Sequence, residues 1–175
     1  VIGARRFQRR RDGRYQLRLS SAERSLLAAL PGQALPLVEA KGPDTVRLFP
    51  PAYPGEPRAD EEYRSVVGGE LLKHHKGALA VLQATANSAE LAPEELEQWA
   101  SGLEVLRLVL GTQLDVSDDG EVVAPPPTPA PGRSEADAAA MLEAHEARVA
   151  VYRYLSMLQA EVVDVLAASL PAKGY

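Results

Sequence analysis

Leu103-Glu104-Val105-Leu106-Arg107-Leu108-Val109-Leu110 forms the middle of a stretch, Pro93 to Val116, whose periodicity decides the fold. Apolar residues at Leu96, Trp99, Leu103, Leu106, Leu110 and Leu114 recur every three or four positions, which places all six on one side of a helix. Val105, Leu108 and Val109 widen the stripe until only Glu97, Ser101, Glu104 and Arg107 are left for water. A helix so nearly apolar all round belongs in the middle of a protein. Pro93 suits a first helical position, and Glu94 and Glu95 complement the positive end of the helix dipole.

A central helix needs partners on both sides. Downstream, Ser134 with Asp137 opens a helix predicted to run to about Leu170, with a bend near His145. Its stripe is Val151, Leu155, Leu158, Val162, Val165 and Ser169, flanked by Tyr152, Tyr154 and Leu166, and Trp99 is expected to be buried against it. Upstream, a helix from Pro57 to near Asn87 carries Tyr63, Val67, Leu71, His74, Ala78, Val81 and Leu82 on one face, with a break expected at Gly68-Gly69. Ser20 and Glu23 form a capping box before a helix predicted over Ser21 to Leu30. Pro31-Gly32 should end or bend it, leaving a short second piece from Gln33 to Ala40. Between these helices, Arg47 to Pro54 is rich in proline and predicts an extended path pinned by Phe49 and Tyr53. Asp115 to Gly120 predicts a polar turn, and Ala124 to Gly132, with five prolines, has the composition of a weakly ordered linker.

One β signal stands before all of this. Asp12-Gly13 predicts a two-residue hairpin turn, and Tyr15, Leu17 and Leu19 alternate with Gln16 and Arg18. The hairpin is marginal alone and must pack on helices. The architecture predicted is a single, mainly α domain over residues 1–175, an irregular helical bundle with an N-terminal β-hairpin. Its parts are the hairpin at 5–19, a helical body at 20–116, a Pro-rich linker at 117–133 and a C-terminal helix at 134–170.

Composition excludes several chemistries. The chain of 175 residues has no cysteine, hence no disulfide, thiolate metal site or cysteine nucleophile. His74 and His75 have no third ligand at suitable spacing, so no metal and no cofactor is expected. No phosphate loop, nucleophile elbow or HExxH motif is present, and the carboxylates of Asp60-Glu61-Glu62 and Glu94-Glu95 suffice as helix-dipole partners. The expectation is a protein that is not an enzyme. No apolar run approaches a membrane span and the start lacks a signal-peptide core, so a cytoplasmic protein with no membrane partner is expected.

Charge is divided unevenly: residues 1–24 carry +6 and the rest −11, for a net −5. The two parts should attract each other, with a basic edge on an acidic helical body. The arginines Arg9, Arg10, Arg11, Arg14 and Arg18 are also candidate partner-binding residues, joined by Arg47, Phe49 and Tyr53 of the Pro-rich loop. A protein partner is favoured. Nucleic acid is disfavoured by the acidic body and the lack of a known DNA-binding or RNA-binding motif.

Several blocks carry a family resemblance. The opening Arg-Arg-Phe-Gln-Arg-Arg-Arg-Asp-Gly-Arg-Tyr from Arg5, the Arg47 to Pro54 string, Glu62-Tyr63-Arg64, Leu106 to Val116, and Val151-Tyr152-Arg153-Tyr154-Leu155 occur in order over nearly the whole chain. Together they resemble a small actinobacterial family, formerly a domain of unknown function, called the actinobacterial oxidative stress regulator (AosR) family. The GC-rich composition agrees, with fifteen Arg against four Lys. The resemblance implies a regulatory role supporting stress-responsive cysteine biosynthesis through an alternative sigma factor. It also implies gene neighbours for a Clp protease adaptor, a JAMM-type metalloprotease, a sulfur carrier and a cysteine synthase. The alternative role is therefore an accessory factor in Clp-linked proteolysis or sulfur-carrier processing. No catalytic residue comes with the resemblance. Without cysteine, a signal must arrive through partner availability, expression level or the methionines Met141 and Met157.

Overall fold

The structure is a computed structural model that describes residues 5–117, 119–122, 128 and 134–169. Two short strands, β1 (Phe7–Arg9) and β2 (Tyr15–Leu17), precede helix α1 (Ser21–Ala40), a 3₁₀ turn (Pro43–Thr45) and helix α2 (Pro57–Thr85). Strand β3 (Glu90–Leu91), helix α3 (Pro93–Gln113) and helix α4 (Glu135–Ser169) follow. The expected linker from Ala124 to Gly132 lies, Thr128 apart, outside the described residues.

The molecule is mainly α, with four helices among the described residues and the N-terminal antiparallel hairpin. Helix α3 is the centre: α2 packs on it from one side and α4 from another, while α1 packs on α2 and touches α3. Leu96, Trp99, Leu103, Val105, Leu106 and Val109 are buried, and Glu97 and Glu104 face water. Half of a capping box starts α3, with the Glu95 carboxylate accepting from Ala92 N–H at 2.6 Å. Leu114 leaves the main core for a small cluster with Val116 and Tyr152. Trp99 is fully buried, in one core cluster with Leu155, Leu158 and Val162 of α4. Phe7 of β1 meets its ring edge-on at 5.9 Å, and its Nε1–H donates to Thr85 Oγ1 of α2 at 2.8 Å.

Several local expectations are corrected by the structure. Helix α1 is continuous through Pro31 and Pro36. Each proline removes a helical hydrogen bond, at a cost of ~3 kcal/mol in a helix interior. The stripe Leu27, Pro31, Ala34 and Val38 is buried, at about 1.5 to 3 kcal/mol per large aliphatic side chain, and this offsets the loss. Helix α2 likewise continues through Gly68-Gly69, each costing ~1 kcal/mol relative to alanine. Of its expected inward face, Ala78 and Leu82 are buried and Val67, Leu71 and Val81 partly so, but Tyr63 and His74 are exposed and His75 is partly buried instead. The Arg47 to Pro54 segment runs through turns, with Leu48 as its buried residue, 3 % exposed, and Tyr53 on the surface. Helix α4 runs without interruption from Glu135 to Ser169 and, at ~1.5 Å per residue, is roughly 52 Å long and outreaches the ~31 Å α3.

The β part is larger than a hairpin. β3 adds to β2 in the antiparallel order β1-β2-β3, with Tyr15 opposite Leu91 and Gln16 opposite Glu90. The turn also differs from a two-residue one, which needs positive φ at both central residues. Arg10 N–H bonds to Arg14 O and Gly13 N–H to Arg10 O, closing a three-residue loop in which Gly13 takes φ 86°. Asp12 supports the loop by accepting from Arg14 N–H at 3.1 Å. Phe7, Tyr15, Leu17 and Leu91 point into the core, and α4 lies against β1, the edge strand. Arg24 ties this corner together. Its guanidinium donates to the carbonyls of Leu17, Leu19, Ala86 and Ser88 at 2.7–3.3 Å, joining α1, β2 and the connection into β3.

Candidate functional site

The eight candidate residues fall at two ends of α3. The hairpin sits at the start of the helix, where Phe7 meets Trp99 and β3 leads directly into Pro93. The Pro-rich loop sits at the other end. There Arg47 donates to the Val116 carbonyl at 2.6 Å, and Gln113 donates to Asp44 at 3.1 Å. No single surface can therefore contain both groups.

At the hairpin, the arginines divide into braces and free heads. Arg10 and Arg14 both pair with Glu90 of β3, at 2.7 and 3.5 Å. Arg6, in front of β1, is shared by Glu23 of α1 and Glu161 of α4, each at 2.8 Å. The expected attraction between the basic start and the acidic remainder is thus realised through these residues. Burial works against the Glu23 carboxylate, but hydrogen bonds from Arg6 and from the Ser20 backbone prevail and lower its pKa to about 2. Glu23 in turn raises Arg6. Burial, reinforced by the Glu23 charge, raises the pKa of Tyr154, whose buried hydroxyl has no hydrogen-bond partner among the described residues. A guanidinium shared between two carboxylates clamps strand to helices.

Arg9, Arg11 and Arg18 differ from these. All three are exposed and, among the described residues, none lies within ion-pair distance of a carboxylate. Arg18 has a 3.4 Å contact with Gln16 Oε1. With Gln8, Arg10, Asp12 and Gln16 they line a shallow concavity of ≈ 660 Å³.

At the far end, Arg47 is a brace through its bond to Val116. Phe49 is half-buried, edge-on to His75 at 5.6 Å and under the Lys41 ammonium at 5.4 Å. Burial lowers the His75 pKa, and the neighbouring His74 adds to this. The imidazole contacts the Leu48 carbonyl at 3.4 Å and so helps hold the loop. Of the three candidates here, Tyr53 alone presents its side chain freely, beside Tyr63 at 6.0 Å. Tyr63 and Val66 were not singled out as surface residues, and Asp60 was assigned only to the helix dipole. Asp60 is in fact buried and accepts from the backbone of Ala52 and Tyr53. An acid one turn into a helix that follows a proline-rich loop is the sequence signal for such a reach-back.

A second concavity, ≈ 440 Å³, lies between α1, α3 and α4 and is lined mainly by Leu26, Leu30, Leu37, Leu106, Leu110 and Val151. Among the described residues no three His, Asp or Glu side chains converge as metal ligands would, and no helix is long and apolar enough to cross a membrane.

Among curated proteins and among solved structures, no match to this chain is found. The family model described as Domain of unknown function (DUF2017) matches residues 4–166, nearly the whole chain, and the chain belongs to that family.

Proposed function

We propose that this is a non-enzymatic regulatory protein that acts through contacts with other proteins, and that the hairpin face bearing Arg9, Arg11 and Arg18 is one contact surface. One observation carries the reading: those three arginines are exposed and without ionic partners among the described residues, while Arg6, Arg10, Arg14 and Arg24 around them are engaged in holding the sheet. Unpaired charge on a braced scaffold steers and selects an acidic partner with little reorganisation. The resemblance to the AosR family supports a finer reading, an alternative sigma factor as the partner and stress-responsive cysteine biosynthesis as the process. A Clp or JAMM component is the competing partner.

The test replaces Arg9, Arg11 and Arg18 with Ser and measures binding to the purified sigma factor, Clp adaptor and JAMM protein. Helicity and melting should stay nearly unchanged, because exposed charges contribute ~0 to 1 kcal/mol per pair. Binding to one protein should fall selectively. A triple variant that melts several degrees lower yet binds as before would make these arginines structural. Duplex DNA is the control: binding to it that weakens log-linearly with salt and is lost in the variant would move the assignment to nucleic acid.

A further inference from the structure

At the end of α3 away from the hairpin, two tyrosines face solvent side by side. Tyr53 is 48 % and Tyr63 40 % exposed, with Val66, 73 % exposed, about one turn further along α2. With Ala59, Glu62 and Val67 they line a shallow depression of ≈ 310 Å³. The arrangement is held from below. Asp60, 7 % exposed, accepts N–H groups of Ala52 at 2.7 Å and Tyr53 at 3.3 Å through Oδ1, while Oδ2 pairs with Arg64 at 2.8 Å. One buried carboxylate thus fixes the loop that carries Tyr53 to the helix that carries Tyr63, and their rings meet edge to face, centroids 6.0 Å apart. Side chains set in advance lose little freedom on binding, and tyrosine is enriched where binding energy concentrates.

The charge around the patch chooses the occupant. Residues 56–70 carry Glu56, Asp60, Glu61, Glu62 and Glu70 against Arg58 and Arg64, and Arg64 is already engaged by Asp60. This sign repels nucleic acid and anionic bilayers, and it repels a second copy seated on the same patch. We infer that the Tyr53–Tyr63–Val66 platform docks a basic segment of a partner protein, which sets an aliphatic or aromatic side chain among the three residues and Lys or Arg over Glu56, Glu62 and Glu70, the carboxylates on the same side of α2. The hairpin at the opposite end has the opposite sign, so the two ends select different partners and the chain can bridge them. The bridging role rests on the hairpin reading; the platform does not.

A phage-displayed random dodecapeptide library selected on the full chain tests this, with the Tyr63→Ser/Val66→Ser variant as counter-target. Enriched peptides should combine an apolar residue with Lys or Arg, and should bind the variant about tenfold more weakly, as loss of a central contact does. Their affinity should also fall with Glu62→Gln/Glu70→Gln and stay unchanged with the hairpin arginines replaced, which separates this surface from the hairpin. Melting curves check that the variants fold; should the double variant melt early, Val66→Ser alone, at a fully open position, decides. Absence of enrichment, an acidic consensus, or equal binding to the variant would overturn the proposal.

Discussion

Gly102 of α3 approaches Ala78 of α2 so closely that a Cβ on the glycine would stand 3.0 Å from the Ala78 carbonyl oxygen and 3.3 Å from Leu82 Cβ. Both neighbours belong to the backbone or the first carbon of a buried helix, so neither can yield without moving α2. Glycine in mid-helix normally costs ~1 kcal/mol relative to alanine. Here it is the condition for close packing.

Gly102→Ala should therefore destabilise the protein despite its gain in helix propensity. Overpacking costs about 1 to 3 kcal/mol, and ~1 kcal/mol of propensity opposes it, leaving a net loss of roughly 1 kcal/mol. Urea unfolding measures it. A midpoint that rises in the variant would show that α2 shifts freely on α3.

Trp99 is fully enclosed, and Trp99→Ala should cost roughly 3 to 5 kcal/mol. Thr85→Val should cost about 1 to 3 kcal/mol, because it leaves a buried indole N–H without its acceptor. The pair Trp99→Phe/Thr85→Val, with both polar atoms removed, should recover part of that loss. Additive losses in this double-mutant cycle would mean the bond contributes nothing.

Two groups give stability a pH dependence of the same sign that sets in at different pH. Glu23 has its folded pKa lowered from 4.5 to about 2, so the unfolded chain takes up the proton first and stability falls as pH drops through that interval. His75 is lowered from 6.5 by burial, so its contribution is complete above 6.5 and erodes below it as the unfolded chain protonates. Arg6→Gln should flatten the acid limb below 4.5 and leave the His75 limb intact; His75→Phe should do the reverse. Unfolding free energies measured from pH 8 to 2 separate the two, and an acid limb unchanged by Arg6→Gln would remove the Glu23 pair as its cause.

The sequence by itself determined the central helix, the capping of α1 and the burial of Trp99, because periodicity and capping chemistry act within a few residues of one another. It also determined that the chain has an apolar hairpin face and an uneven charge. Only the tertiary structure decided the rest. The two-residue β3 is too short to show alternation and exists because β2 offers it an edge. Pro31 stays helical because burial against neighbouring helices outweighs a local penalty that is all the sequence displays. Among the arginines, identical in sequence terms, position in space separated Arg6, Arg10 and Arg14, which reach a carboxylate, from Arg9, Arg11 and Arg18, which do not. The Tyr53–Tyr63 pair is the same case: Asp60 joins residues from a loop and a helix, and that union depends on where the chain turns back.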